Sequence, residues 1–248
     1  MRLLLLNPNM TEAVTERLAT VARAIAAPST EILPVTAPRG FPYISSRAEA
    51  QVAGALVLEM LAERAGTFDA AIVAAFGDPG LFPARELFDF PVVGMSEAAM
   101  LTACMLGRRF SIVTFSLNLE PWYRECVIAN GLEGRLASIR CAGGAFASIA
   151  DVQHEKEAAL VELCRLAIEQ DGADVIILAG APLAGLAARI RDKVAVPLVD
   201  QITAATRQAE TLVVLDPLPP RAGSFRRPPA KPSVGLAPAL AARFDHTD

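Results

Sequence analysis

General acid/base chemistry needs a group that takes a proton, a group that returns one, and fixed donors for the charge that develops in between. The residue types suited to this work stand where apolar runs end on glycine or proline. Asp78 lies in Phe76-Gly77-Asp78-Pro79-Gly80, and Ser96-Glu97 follows Pro91-Val92-Val93-Gly94. Asp78 and Glu97 are the candidate acid/base groups, since desolvation raises a carboxyl toward neutrality. Ser96, Tyr43, Thr114 and Ser116 offer hydroxyl relays, and Asn7 and Asn9 offer amides. Phe76, Gly77, Phe115, Gly180, Ala181 and Pro182 complete the strand-end segments expected to line a small-molecule site. Each such segment precedes a helix. Its backbone N–H groups suit a carboxylate, a phosphate or an enolate oxygen without a charged side chain.

Every candidate also has a structural alternative. Asp78 before Pro79 is a turn former, and Ser96-Glu97 reads equally as an N-cap followed by a first-turn acid. Asn9 and Thr11 suit a helix start, and Tyr43 suits either a lid or a packing anchor. His154 sits on a charged helix start and His246 near the chain end, so a histidine mechanism is not expected. Cys104, Cys126, Cys141 and Cys164 show no CxxC spacing and read as core thiols, with no metal site. Neither phosphate-binding glycine motif occurs. No cofactor is expected.

The elements that position these residues follow from hydrophobic patterning. Asp69 to Leu81 reads as a continuous apolar run, Ala70 to Phe76, broken by Gly77-Asp78-Pro79-Gly80. Asp174 to Gly185 repeats the pattern. Runs of this kind suit strands of a parallel sheet covered on both faces. Arg2–Leu6 and Arg109–Thr114 occupy matching places, as do the strands at 91–93 and 197–199. Helices are expected over 12–26, from Ser45 or Ser46 to Ala65, and over 80–88, 96–106, 119–130, 152–170, 183–193 and 202–212. The expected fold is α/β, with two pseudo-symmetric halves, each a short parallel sheet flanked by helices, and the site in the cleft between them. Residues 1–95 with 201–216 form one half and 96–200 the other. From Pro217 to Asp248 seven prolines accompany Arg221, Arg226, Arg227 and Lys231, which predicts an extended or disordered arm, or an arm lying on a partner subunit.

Composition narrows the class. Hydrophobic residues make up 53% and aromatics only 6%, so the cores are aliphatic. A net charge of −4 argues against nucleic acid as partner. No apolar run approaches the ~18 residues of a membrane span. The start, Met1-Arg2 and then Leu3–Leu6, is too short for a signal peptide, so a cytoplasmic protein is expected. The expected partners are a small molecule, anionic or carbonyl-bearing, and further copies of the chain.

Asn7-Pro8-Asn9, Phe76 to Leu81, Pro91 to Gly94 with Glu97-Ala98-Ala99, Arg109 to Thr114, and Ala184-Gly185-Leu186-Ala187 together resemble the hydantoin racemase branch of the aspartate/glutamate racemase superfamily. The resemblance covers roughly residues 1–213. It implies the two-halved fold and cofactor-independent proton exchange beside a carbonyl, with two cysteines facing each other across the substrate. The family's cysteine positions fall here on Ala75 and Gly180. A related decarboxylase keeps one cysteine of the pair; this chain keeps neither. The expected function is an isomerase acting at the carbon α to a carbonyl of a small cyclic ureide or amino-acid derivative, using other groups for proton transfer. A lyase, decarboxylase or hydrolase on the same frame, and a non-catalytic small-anion binding protein, are the alternatives.

Overall fold

The computed structural model describes residues 1–149 and 151–248. Strands β1 (Arg2–Asn7), β2 (Glu31–Thr36), β3 (Ala70–Val73) and β4 (Val92–Gly94) form a parallel sheet in the order β2-β1-β3-β4. Strands β5 (Phe110–Thr114), β6 (Leu136–Cys141), β7 (Val175–Ala179) and β8 (Leu198–Asp200) form a second parallel sheet in the matching order β6-β5-β7-β8. The repeat read from the sequence is therefore a repeat of topology. Leu3–Leu6, Ala70–Val73 and Val175–Ala179 are buried throughout, as strands covered on both faces must be.

The covering helices are α1 (Glu12–Ile25), α2 (Arg47–Arg64), α3 (Leu81–Leu87), α4 (Met95–Leu106), α5 (Glu120–Ala129), α6 (Val152–Glu169), α7 (Leu186–Ile190), α8 (Gln201–Leu215) and α9 (Pro238–Asp245). Ser46 starts α2 with a capping box: its Oγ accepts from the Glu49 N–H, and the Glu49 carboxylate accepts from the Ser46 N–H. Thr11 stands at the N-cap of α1, but its hydroxyl donates to Pro42 O (2.6 Å) instead of capping. That bond ties the loop of residues 37–46 to the end of β1. Helices α4 and α8 leave the last residues of β4 and β8 without a linker. α4 packs on β7 and β8, α8 packs on β3 and β4, and the two helices pack on each other. Each sheet is thus covered in part by the helix launched from the other, which locks the halves together.

Three expectations change. The apolar run at Ala70–Phe76 pairs only as far as Val73, because the chain then turns toward the cleft. The helix expected over 183–193 is broken at Gly185, whose φ of +84° is left-handed, leaving α7 between two short 3-10 turns. The expected extended arm runs without regular structure to residue 237 and then forms α9, which docks on α2 of its own chain. Leu240 is buried at the contact. The Arg243 guanidinium lies 5.1 Å from the Phe88 ring centroid and pairs with Asp89 and Asp248. Proline-rich composition reports the extended stretch, while the apolar spacing of Leu240 and Phe244 decides the docking.

Leu240→Ala is expected to destabilise the chain by about 2 kcal/mol or more, the usual cost of emptying a buried leucine site. A urea midpoint unchanged by the substitution would mean that α9 is not docked in solution.

Candidate functional site

The carboxyl ends of the central strands β1, β3, β5 and β7 bring Asn7, the Ala75–Gly80 turn, Thr114 and Gly180 to the junction of the two halves. This is where open α/β sheets place ligands. Asn7 is fully buried and its side chain bonds to the loop after β1 and to the first turn of α1. Its Nδ2 donates to Asn9 Oδ1 (3.1 Å) and Thr15 Oγ1 (2.9 Å), and its Oδ1 accepts from the Asn9 N–H (3.2 Å). Asn9 Oδ1 also accepts from the Thr11 N–H (2.9 Å), so both asparagines build the strand end.

Asp78 has a left-handed φ of +47° and turns its carboxylate to the N-terminus of α4. The N–H of Ser96 donates to Oδ1 (2.7 Å). The Ser96 hydroxyl (2.6 Å) and the Glu97 N–H (2.8 Å) donate to Oδ2. Asp78 therefore caps α4 from across the turn, and it can do so because residue 94 is glycine. A Cβ there would stand 2.3 Å from Asp78 Oδ2. Burial pushes the Asp78 carboxyl up to about 6, against the three hydrogen bonds that pull it down. Glu97 is engaged elsewhere, in a two-pronged ion pair with Arg85 (Nη1 to Oε1 2.8 Å) whose Nε donates to Val92 O (2.9 Å). The two expected acid/base carboxylates thus both have structural partners: Asp78 holds the helix start with Ser96, and Glu97 ties α4 to α3.

On the second wall Thr114 Oγ1 donates to Ala179 O (2.8 Å) and Phe115 is fully buried. Ser116 precedes a 3-10 turn and makes no capping bond to it. Gly180 has φ +112°, a conformation that L side chains rarely adopt. Gln201 clamps its peptide: Oε1 accepts from the Gly180 N–H (2.9 Å) and Nε2 donates to Gly180 O. The backbone donor expected to be free at Gly180 is therefore taken. Ala181 and Pro182 are buried, and Pro182 O accepts from Arg17 (2.9 Å) and Gln153 (2.8 Å).

Aromatic rings from both halves meet at this junction. Phe76 lies 4.7 Å from Tyr123, Tyr43 5.8 Å from Phe115, and Phe115 5.7 Å from Phe146. Both tyrosines and the single tryptophan of the chain gather here, with Trp122 5.7 Å from Tyr123. A Cβ on Gly180 would stand 2.6 Å from Phe115 Cε1 and 3.5 Å from the Tyr123 hydroxyl oxygen. Placing a thiol at residue 180 therefore requires Phe115 to move as well as the backbone to accept a side chain. The thiols nearby are neutral at pH 7: burial raises that of Cys126, and that of Cys141 reaches about 11. Burial also raises the phenols of Tyr43 and Tyr123, so both remain donors. Among the described residues no cluster of His, Cys, Asp and Glu could hold a metal ion. A cavity of about 500 Å³ lies between α2, the Gly77–Gly80 turn and α5, with Gln51, Asp78, Ser96, Trp122, Cys126 and Asn130 among its lining residues.

Tyr123, Phe146 and Gln201 join the residues expected at the junction. The rarity of tyrosine was a usable signal for Tyr123. Nothing local marks Gln201, whose role depends on α8 starting beside Gly180.

The family profile described as Asp/Glu/Hydantoin racemase matches residues 3–209. The hydantoin racemase of Paenarthrobacter aurescens is 34% identical over 93% of this chain and 99% of its own length. The structure of an allantoin racemase from Klebsiella pneumoniae superposes with a TM-score of 0.90 at 33% identity, covering 97% of this chain and 98% of that one. An allantoin racemase from Pseudomonas fluorescens superposes with a TM-score of 0.87 at 36% identity, covering 95% and 100%.

Gly180→Ala is expected to cost about 1–3 kcal/mol through backbone strain alone, with the Phe115 contact adding to it. Phe115→Leu empties part of a fully buried ring site and carries its own cost, so the contact is read as the coupling between the two substitutions. Urea denaturation of Gly180→Ala, Phe115→Leu and the double variant, taken as a cycle, separates the contact from the backbone cost, and a neutral Gly180→Ala would mean that the turn is not held in this conformation.

Proposed function

The chain belongs to the Asp/Glu/hydantoin racemase family, and from that premise we propose that it is a cofactor-independent isomerase acting at the carbon α to a carbonyl of a small cyclic ureide or amino-acid derivative. The observation that carries this reading is the family frame itself, which runs through both halves and brings all four central strand ends to one junction. Hydantoin and allantoin, the compounds in the relatives' names, are cyclic ureides with a carbon of this kind.

Asp78 is the better of the two acids for the proton. A carboxyl near 6 is mostly ionised at neutral pH yet basic enough to accept a proton, and the Ser96 hydroxyl bonded to it is a relay. Glu97, committed to Arg85, acts by holding α4 in place. Donors for the developing enolate come from hydroxyls, because the phenols and thiols of the cleft stay protonated. The reading takes the enzyme as a cytoplasmic homo-oligomer. Exposed Leu101, Met105 and Leu106 on α4 and Val214 and Leu215 on α8 support the assembly. Among the described residues no helix is long and apolar enough to cross a membrane.

A second reading, a protein that binds the same ligand class without turnover, is favoured by Ala75 and by the Phe115 ring standing where a side chain on residue 180 would point. One experiment separates the two. Incubation with allantoin and 5-substituted hydantoins in D₂O, followed by NMR, is expected to show α-proton exchange. The rate should rise through about pH 6 as Asp78 loses its proton and level off above it. Exchange without that pH dependence removes Asp78 from the role. Thermal stabilisation with no exchange across the panel selects the binding protein, and loss of CO₂ or ring opening selects a lyase or hydrolase.

A further inference from the structure

A buried hydroxyl without a partner is costly, and Tyr43 carries one. Among the described residues 1–216 its Oη is the one buried side-chain nitrogen or oxygen lacking a hydrogen bond, the other four such atoms lying in the tail on Arg227, Ser233, Arg243 and Asp245. The loop that holds it is not loose. Pro42 O accepts from the Thr11 hydroxyl (2.6 Å), Phe41 O accepts from the Met10 N–H (2.9 Å), and the Ser45 N–H donates to Glu49 Oε2 (2.6 Å). Ile44 is buried behind it. Tyr43 is thus anchored on both sides while its ring packs against Phe115 and Phe146. A rigid mount with an empty donor is the arrangement of a recognition group.

The chemistry around the oxygen narrows what it recognises. The phenol keeps its proton, because burial and the nearby Glu49 carboxylate both raise it, so the group needs an acceptor. The same carboxylate repels an anionic acceptor placed at the phenol oxygen. The surrounding rings favour a planar ligand with apolar faces. We infer that Tyr43 donates its hydroxyl hydrogen to a neutral carbonyl oxygen of a planar small molecule bound against the Tyr43, Phe115 and Phe146 rings. This chooses the carbonyl over the anion as the feature by which the cleft selects its ligand. The inference shares with the proposed function the cleft as the ligand site, and does not require turnover.

Tyr43→Phe removes the oxygen alone and keeps the ring. Calorimetric titration of the full chain with 5-benzylhydantoin and allantoin, with benzoate as the carboxylate comparator, tests it. Wild type should bind at least one of the two ureides more tightly than benzoate. Tyr43→Phe should weaken that binding about tenfold, the range of one net hydrogen bond. The melting temperature of the unliganded variant should stay level or rise, since no bond is lost. Ureide binding within twofold of wild type, preference of the wild type for benzoate, no binding of either ureide, or a fall of several degrees in the unliganded variant would each overturn the inference. Hydroxyl-dependent binding without α-proton exchange leaves the inference standing and removes the isomerase; exchange unaffected by Tyr43→Phe does the reverse.

Discussion

In each half a single half-buried carboxylate closes the start of the helix that crosses to the other half. Asp78 accepts from the N–H groups of Ser96 and Glu97 at the head of α4. Asp200 accepts from those of Ile202 and Thr203 at the matching place on α8. The acids come from different segments. Asp78 lies in the turn after β3, opposite Gly94, whereas Asp200 ends β8 and also accepts from the Gly185 N–H of the turn after β7 (2.7 Å). The acid comes from the turn in one half and from the strand end in the other, and in both it joins a turn to a helix start. Burial raises both carboxyls, while the helix dipole and its unpaired N–H groups favour their charged form.

That bridge explains why the cleft is so firmly set. A crossing helix has no linker of its own, so its first turn must be satisfied by the turn beside it. The Ala75–Gly80 and Gly180–Gly185 segments are thereby held at both ends. Gln201, the first residue of α8, adds a clamp on the Gly180 peptide. With the backbone fixed, the space between the walls is decided by side chains. Without Cβ atoms at Gly77 and Gly180, Trp122 and Phe115 close onto the backbone. The result is a junction rich in rings and neutral donors, beside which Asp78, raised to about 6, serves as a helix cap.

Much of the architecture was legible in the sequence. Apolar runs of strand length ending on Gly or Pro located the central strands, and the echo of Asp69–Leu81 in Asp174–Gly185 showed the duplication. A serine cap at residue 45 or 46 was readable from the local sequence, and the bond between Ser46 and Glu49 decides for Ser46. The break at Gly185 was less legible, since apolar spacing continues across it. The tail was half legible. Seven prolines predict extension, but whether α9 finds a surface depends on α2 and Phe88, which are distant in the chain.

The site divides along the same line. Local sequence determined which residues stand at the strand ends, because strand length, turn formers and helix starts are short-range properties. It also determined that Ala75 and Gly180 carry no group able to transfer a proton. Only the tertiary structure decided what the remaining side chains do. Asp78 and Glu97 look alike as acids near a cleft, and packing made one a cap and the other the partner of Arg85. Tyr43 and Tyr123 are eighty residues apart and reach the same junction, where Tyr43 packs on Phe115 and Tyr123 on Phe76 across the two halves. Hydrogen-bond partners and burial are set by contacts between distant segments, so a residue's type can be read from the chain, whereas its charge state and its unfilled bonds appear only once the chain has closed around it.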